Sequence, residues 1–238
     1  MLTAVVLMSR IPHPGLTKTR LMSRLSAEEC AEFHRQCLLD ACRAVRESGF
    51  PGYIFLAGAD DEPFEPELIL PGCGLSEDDS RYFRFYPQVG KDLGEKMAAA
   101  AEKVLSSFDG VLLLGTDMPE ITPGLLAEAH NRLQKADVVI GPAKDGGYYL
   151  IGMKEMHHTL FQDIPWGTAG VMQATRERLR SRALSCMLLE TKNDIDTWDD
   201  LLDFYARGKI LSGKQKQLAS YAYAAKLVAR YRGKGGIK

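Results

Sequence analysis

Apolar residues fall in two kinds of run along this chain. The first kind is short, unbroken and stopped by a turn residue. Val111-Leu112-Leu113-Leu114 ends at Gly115, Ala4 to Met8 ends at Ser9-Arg10, and Asp137-Val138-Val139-Ile140 ends at Gly141-Pro142. Runs without alternation that are too short for helices read as strands buried on both faces, as in a parallel sheet under helices. Tyr53 to Ala57, Phe83 to Tyr86 and Cys186 to Glu190 read as further strands. The second kind recurs every three or four positions and predicts helices. Phe33, Cys37, Leu38, Ala41, Cys42 and Val45 mark one that opens at the capping box Ser26-Ala27-Glu28-Glu29, runs to about Ser48 and stops at Gly49. Leu93, Met97, Ala101, Val104, Leu105 and Phe108 mark a second. Leu125, Leu126, Ala129 and Leu133 mark a third, which starts at Pro123 behind Thr122 as its cap. Thr168 is read as the cap of a helix to about Arg180, and Thr197 as the cap of another. The segment from Gly58 to Arg81, rich in proline, glycine and acids, reads as loop with a short helix over Pro66 to Leu70.

Strand, helix, strand at the start of the chain favours a right-handed crossover and a parallel sheet. Asp145-Gly146-Gly147 lies between two β-rich runs and predicts a hairpin. From about Ser212 the composition shifts. Lys214, Lys216, Lys226, Arg230, Arg232, Lys234 and Lys238 occur with no acid among them, and Leu218, Tyr221, Ala222, Ala225 and Leu227 make one apolar stripe. We therefore expect an α/β domain over residues 1–211 and a basic C-terminal helix and tail over residues 212–238, packed on the domain or on a second copy in a homodimer.

With 45% hydrophobic and 26% charged residues, the chain can bury a sizeable core, and disorder is excluded. A net charge of -1 gives no global field to recruit nucleic acid or a membrane. The N-terminus has no basic leader and reads as a first strand, not a signal peptide, and no apolar run reaches the length of a membrane span. The cysteines Cys30, Cys37, Cys42, Cys73 and Cys186 form no C-x-x-C pair and read as reduced thiols in the core of a cytoplasmic protein.

Candidate chemistry clusters at the ends of the predicted strands. Asp117 stands just past the carboxyl end of the Val111–Leu114 strand, where open α/β sheets bind ligands, and suits a divalent cation held against phosphate. The loop after the first strand carries Lys18 and Arg20, two apart and able to face one anion, but it is neither a Walker A loop nor G-x-G-x-x-G. Gln88, Gly90 and Asp92 sit at the mouth of the second helix. They read either as polar ligand contacts at free helix amides or, for Asp92, as a plain cap. In an extended Asp194-Ile195-Asp196, the two carboxylates share a face and call for a cation; the competing reading is the acid-rich start of the helix capped by Thr197. The D-x-D-x-T phosphatase pattern does not fit. No histidine stands out as a base: His13 is in a loop, and His157 and His158 read as exposed.

Taken together, Pro14-Gly15-Leu16-Thr17-Lys18-Thr19-Arg20-Leu21, Gln88-Val89-Gly90-Lys91-Asp92-Leu93-Gly94, Gly115-Thr116-Asp117-Met118-Pro119, Gly141-Pro142 through Ile151-Gly152, Trp166-Gly167-Thr168 and Asp194-Ile195-Asp196-Thr197 resemble the nucleotide-diphospho-sugar transferase superfamily. More narrowly, the chain is similar over residues 2 to 206 to a bacterial family of A-type glycosyltransferases long carried as a domain of unknown function. That family is related to the guanylyltransferases for phospholactate and molybdopterin. The resemblance implies a three-layer α/β/α, Rossmann-like GT-A fold with a mostly parallel central sheet and a small β-hairpin insertion. It implies that Lys18 and Arg20 hold phosphates and that Asp117, Asp194 and Asp196 form a site for Mg2+ or Mn2+. Gln88, Gly90, Asp92 and Thr116 would line the nucleotide pocket. Asp145, Gly146, Gly147, Tyr148, Trp166 and Thr168 would face the sugar or a small-molecule acceptor. The first loop lacks the fuller glycine-rich signature of sugar-nucleotide pyrophosphorylases. The implied activity is metal-dependent transfer from a nucleotide-sugar. The alternatives are nucleotidyl transfer to a phosphorylated acceptor and a silent nucleotide-sugar binding module.

Overall fold

A computed structural model of the chain describes residues 1–58, 64–210 and 217–232. Its strands are β1 (Thr3–Arg10), β2 (Gly52–Ala57), β3 (Phe83–Pro87), β4 (Gly110–Gly115), β5 (Val138–Pro142), β6 (Tyr148–Met153) and β7 (Cys186–Leu188). Its α-helices are α1 (Ala27–Ser48), α2 (Pro66–Cys73), α3 (Glu77–Tyr82), α4 (Leu93–Leu105), α5 (Pro123–Leu133), α6 (Val171–Ser181), α7 (Trp198–Ile210) and α8 (Ala219–Arg232). The seven strands form one sheet in the order β3-β2-β1-β4-β6-β5-β7. β3, β2, β1 and β4 pair in parallel, as do β5 and β7. Only β6 runs the other way, antiparallel to β4 and β5. The expected hairpin is thus built into the middle of the sheet.

The unbroken apolar runs are buried on both sides, as their pattern requires. Val5, Leu7, Leu112 and Leu114 meet Leu38, Ala41 and Cys42 of α1 and Leu125, Leu126 and Leu133 of α5. Ala4, Val6, Val111 and Leu113 meet Met97, Ala100 and Val104 of α4 and Met172 and Leu179 of α6. That is the three-layer arrangement. The caps at Ser26, Thr122, Asp92 and Thr197 form as read. Thr168 does not cap. Its hydroxyl donates to Pro165 O (2.8 Å) and accepts from Gly170 N (3.2 Å), and α6 begins only at Val171. The stretch read as loop also contains α3. Ser76 and Asp79 form a reciprocal capping box there, and Asp79 is anchored by Arg46 of α1 at 3.0 Å. Its sequence is too polar to show an apolar stripe.

The basic C-terminal helix packs on its own chain. A third apolar cluster joins Cys30, Phe33 and Cys37 of α1, Leu201 and Phe204 of α7, and Ala224, Leu227 and Val228 of α8. The buried positions of α8 are therefore Ser220, Ala224, Leu227 and Val228, while Ala222, placed on the expected stripe, is exposed. This face of α8 is packed on α1 and α7 of its own chain, the first of the two expected arrangements. The boundary expected at residue 212 and the lysines Lys214, Lys216, Lys234 and Lys238 lie outside the described residues. Asp40 of α1, 1% exposed, caps α8 from a neighbouring helix: it accepts from Ala219 N (2.9 Å), Ser220 N (2.9 Å) and Ser220 Oγ (2.6 Å). Glu29 holds the other end through Arg230 (2.5 Å) and Tyr231 (2.6 Å). The described cysteines are free thiols, buried except for the half-buried Cys186, as expected.

Asp40→Ala leaves two helix amides and a hydroxyl without their acceptor in a dry place. We expect a loss of about 2 kcal/mol in unfolding free energy, measured by urea denaturation.

Candidate functional site

Because β1, β2 and β4 are parallel, their carboxyl ends lie on one edge, and β6 starts there because it is antiparallel to β4. A cleft of about 700 Å³ opens along this edge. Of the residues singled out above, all but Gly90 and Gly146 line it. Gly90 packs under α4, where a Cβ would lie 2.7 Å from Glu95 Cβ. Gly146, at φ +91°, supports the neighbouring loop: a Cβ would come within 2.4 Å of Ala169 O, and its carbonyl accepts Met172 N at 2.8 Å.

The centre of the cleft is an ion-pair network. Lys18 has a left-handed backbone (φ 50°), and its ammonium is 1% exposed. It donates to Ile195 O at 2.7 Å and pairs with Asp117 Oδ1 at 2.5 Å and Asp196 Oδ1 at 3.4 Å. Burial alone would push this ammonium down; Asp117, then Cys37 and Asp196, override it and hold the pKa above its ordinary value. In the structure the partners of Lys18 are protein groups, Ile195 O, Asp117 and Asp196. Arg20, 67% exposed, reaches Asp196 Oδ2 at 3.4 Å and keeps most of its donors for a ligand. Asp117 is crowded by protein yet 52% exposed to the cleft. Crowding would raise its pKa, but Lys18 and then His34 hold it below the usual carboxylate value. Asp194 is the opposite case. Burial, then Asp117, Asp145 and Asp196, push it up to about 7 against the pull of Lys18.

These acids do not close into a cage. Among the described residues, no three His, Cys, Asp or Glu side chains come together as metal ligands. Asp196 is committed to Lys18 and Arg20. What is left is Asp117 and Asp194, close enough for each to disfavour the other's charge. That donor set fits a hard divalent cation that takes one or two carboxylates from the protein and its other oxygens from substrate phosphates and water.

The remaining residues divide between structure and lining. Gln88 donates its amide to Ser9 O (2.8 Å) and Phe55 O (3.0 Å), tying the ends of β1 and β2. Asp92 caps α4 by accepting Glu95 N at 2.8 Å, so the capping reading holds for it. Thr116, 2% exposed, binds Ser9 Oγ at 2.9 Å. Asp145 accepts Gly147 N at 2.9 Å and shapes the hairpin turn. Trp166 meets Tyr148 edge to face at 6.2 Å and lies against α4, where Gly94 makes room: a Cβ there would sit 2.6 Å from Trp166 Nε1.

Sequence reasoning missed His34. It is 4% exposed, its Nε2 contacts Ser9 Oγ (3.2 Å) and Arg10 O (3.1 Å), and its Nδ1 lies 3.9 Å from Asp117 Oδ1. Burial holds its pKa below the ordinary value. The available signal was its place on the buried stripe of α1 between Cys30 and Cys37, where an imidazole needs polar partners. Lys91 and Lys96 also line the cleft without having been singled out for chemistry.

Comparison with known proteins agrees with the fold. The model of a family described as "Uncharacterized protein conserved in bacteria (DUF2064)" matches residues 39–168, more than half of the chain. The chain is 24% identical over 209 residues to 2-phospho-L-lactate guanylyltransferase of Methanothermobacter thermautotrophicus, covering 87% of this chain and 85% of that one. A crystal structure described as a "putative nucleotide-diphospho-sugar transferase" from Desulfovibrio desulfuricans superposes with a TM-score of 0.86 at 30% identity, over 96% of this chain and 97% of that one. Rv0371c of Mycobacterium tuberculosis, in a manganese complex, shares the fold at 15% identity and a TM-score of 0.50, over 85% of this chain and 97% of that one.

Asp194 binds its proton more tightly folded, near 7, than unfolded, near 3.8. Stability from this source is present at low pH and is lost as pH rises through about 7. We expect the melting temperature of chelator-treated protein to fall across that range and Asp194→Asn to flatten the fall. An unchanged slope in the variant would remove Asp194 from the acid group.

Proposed function

The chain belongs to the DUF2064 family, and we propose that it is a divalent-cation-dependent nucleotidyltransferase. On this reading it moves a nucleoside monophosphate from a nucleoside triphosphate to a phosphorylated small-molecule acceptor. The observation that carries this is the presence of carboxylates (Asp117, Asp145, Asp194) and cationic side chains (Arg20, Lys91, Lys96) along one cleft at the carboxyl edge of the sheet. The relative named as a guanylyltransferase supports the reaction class.

The lack of a free imidazole in the cleft among the described residues favours this reaction. Among the described residues, the imidazole lining the cleft is His34, which is buried and hydrogen-bonded. A phosphate monoester is already ionised at neutral pH and needs no base. Its oxygen attacks the α-phosphorus, the bond from that phosphorus to the bridging oxygen breaks, and pyrophosphate leaves with the electron pair. Asp117 and Asp194 would hold Mg2+ or Mn2+, with Asp196 flanking. When bound, the cation supplies charge neutralisation to the phosphates and the leaving group. Arg20 neutralises phosphate oxygens from the open side. Lys18 holds the Asp117 and Asp196 loops together so that the carboxylates face the ligand. Gly147, Tyr148 and Trp166 wall the space for the acceptor. A second reading, glycosyl transfer from a nucleotide-sugar with a nucleoside diphosphate leaving, is favoured by the description of the Desulfovibrio relative.

Each nucleoside triphosphate, with Mg2+ or Mn2+ and a panel of phosphorylated acceptors, is tested for pyrophosphate release alongside UDP- and GDP-sugars. We expect pyrophosphate release that a chelator abolishes and that Asp117→Asn lowers in kcat/KM by about a hundredfold or more. Nucleoside diphosphate release from a nucleotide-sugar alone would select the second reading. Nucleotide binding without turnover across the panel would leave a silent binding module.

A further inference from the structure

Lys91 and Lys96 enter the cleft from the turn that opens α4. Each has an acid four residues away: Glu95 for Lys91 and Asp92 for Lys96. Lys91 precedes the cap of α4, while Asp92 and Lys96 bracket its first turn, a spacing at which opposite charges can meet. Here the acids are turned to other work. Glu95 accepts the backbone amide of Lys91 at 2.8 Å, and Asp92 accepts the backbone amide of Glu95 at 2.8 Å. Among the described residues, no carboxylate pairs with either ammonium. Lys96 is half-buried and Lys91 exposed, and both line the cleft. Two lysines that line one cleft without a carboxylate partner leave positive charge there for an anionic ligand to meet. Lys18, which the loop motif suggests for this duty, is bonded wholly to protein and 1% exposed.

We propose that Lys91 and Lys96 form an oxyanion subsite that binds a phosphoryl group of the substrate. The subsite rests on the proposed nucleotidyl transfer only for which substrate brings that group. It is the γ end of the triphosphate or the phosphate of the acceptor. The subsite is made by the two side chains, and the Glu95 amide of the first turn of α4 is already taken by Asp92. Each lysine supplies a flexible ammonium with three donors, which suits phosphoryl oxygens at varied angles.

The test is calorimetric titration of the full chain with inorganic pyrophosphate and, separately, with glycerol 2-phosphate. Wild type is compared with Lys91→Gln/Lys96→Gln and Lys91→Arg/Lys96→Arg. We expect the glutamine pair to weaken at least one probe by about tenfold or more and the arginine pair to retain it. The melting temperature should be unchanged, since neither ammonium holds the fold. Loss confined to pyrophosphate assigns the subsite to the triphosphate; loss confined to glycerol 2-phosphate assigns it to the acceptor. If wild type binds neither probe, or the glutamine pair binds both as wild type does, the subsite is overturned. Lysine-dependent pyrophosphate binding in a protein that turns over no triphosphate would remove the proposed reaction and leave the subsite.

Discussion

The buried ammonium of Lys18 is the contact on which the cleft depends. It joins three segments remote in the chain: the loop after β1, the turn after β4 at Asp117, and the strand-like stretch before α7 at Ile195 and Asp196. Ile195 N adds a backbone bond to Asp117 O at 3.2 Å. Taking a charge out of water is costly and is offset only when its hydrogen bonds are satisfied. Lys18 meets that condition, with a carbonyl and two carboxylates for its three protons. Removing one partner of such a pair costs about 3–5 kcal/mol, because the other charge is left stranded. The pair therefore acts as a strut that sets where the acids stand.

The sheet explains why these segments meet. Parallel β1, β2 and β4 deliver their following loops to one edge, and β6 brings the Asp145–Gly147 turn to the same place because it runs antiparallel between β4 and β5. Without that inserted strand the turn would not share the edge with Asp117. Behind the edge, Gln88, Ser9, Thr116 and His34 form a polar layer that ties strand ends to α1. Every one of these bonds is local to the carboxyl end of the sheet, which keeps the apolar core below it dry.

The charge distribution then follows from competition for partners. Asp196 shares Lys18 with Asp117 and Ile195 O and also meets Arg20. Asp117 stays a carboxylate open to the cleft, Asp194 takes up a proton near neutral pH, and Lys91 and Lys96 have no carboxylate partner among the described residues. A ligand carrying phosphates and a divalent cation answers both the acids and the lysines. That complementarity is a property of the whole cleft and belongs to no single motif.

Much of the fold was legible in the chain because its signals are local. Unbroken runs such as Val111–Leu114 can only be strands buried on both faces, and Ser26, Asp92, Thr122 and Thr197 cap helices through bonds within a few residues. α3 and Thr168 were misread for the same kind of reason: a short polar helix shows no stripe, and a hydroxyl can serve a turn instead of a helix. The residues gathered at the cleft were also largely visible as loop positions after strands. Their jobs were not. Whether Lys18 faces phosphate or protein, whether Asp194 keeps its proton near neutral pH, and whether His34 sits behind Asp117 depend on groups as far as 178 positions apart in sequence. Only folding sets those distances, and electrostatic interaction falls off too steeply with distance for residue type alone to decide it.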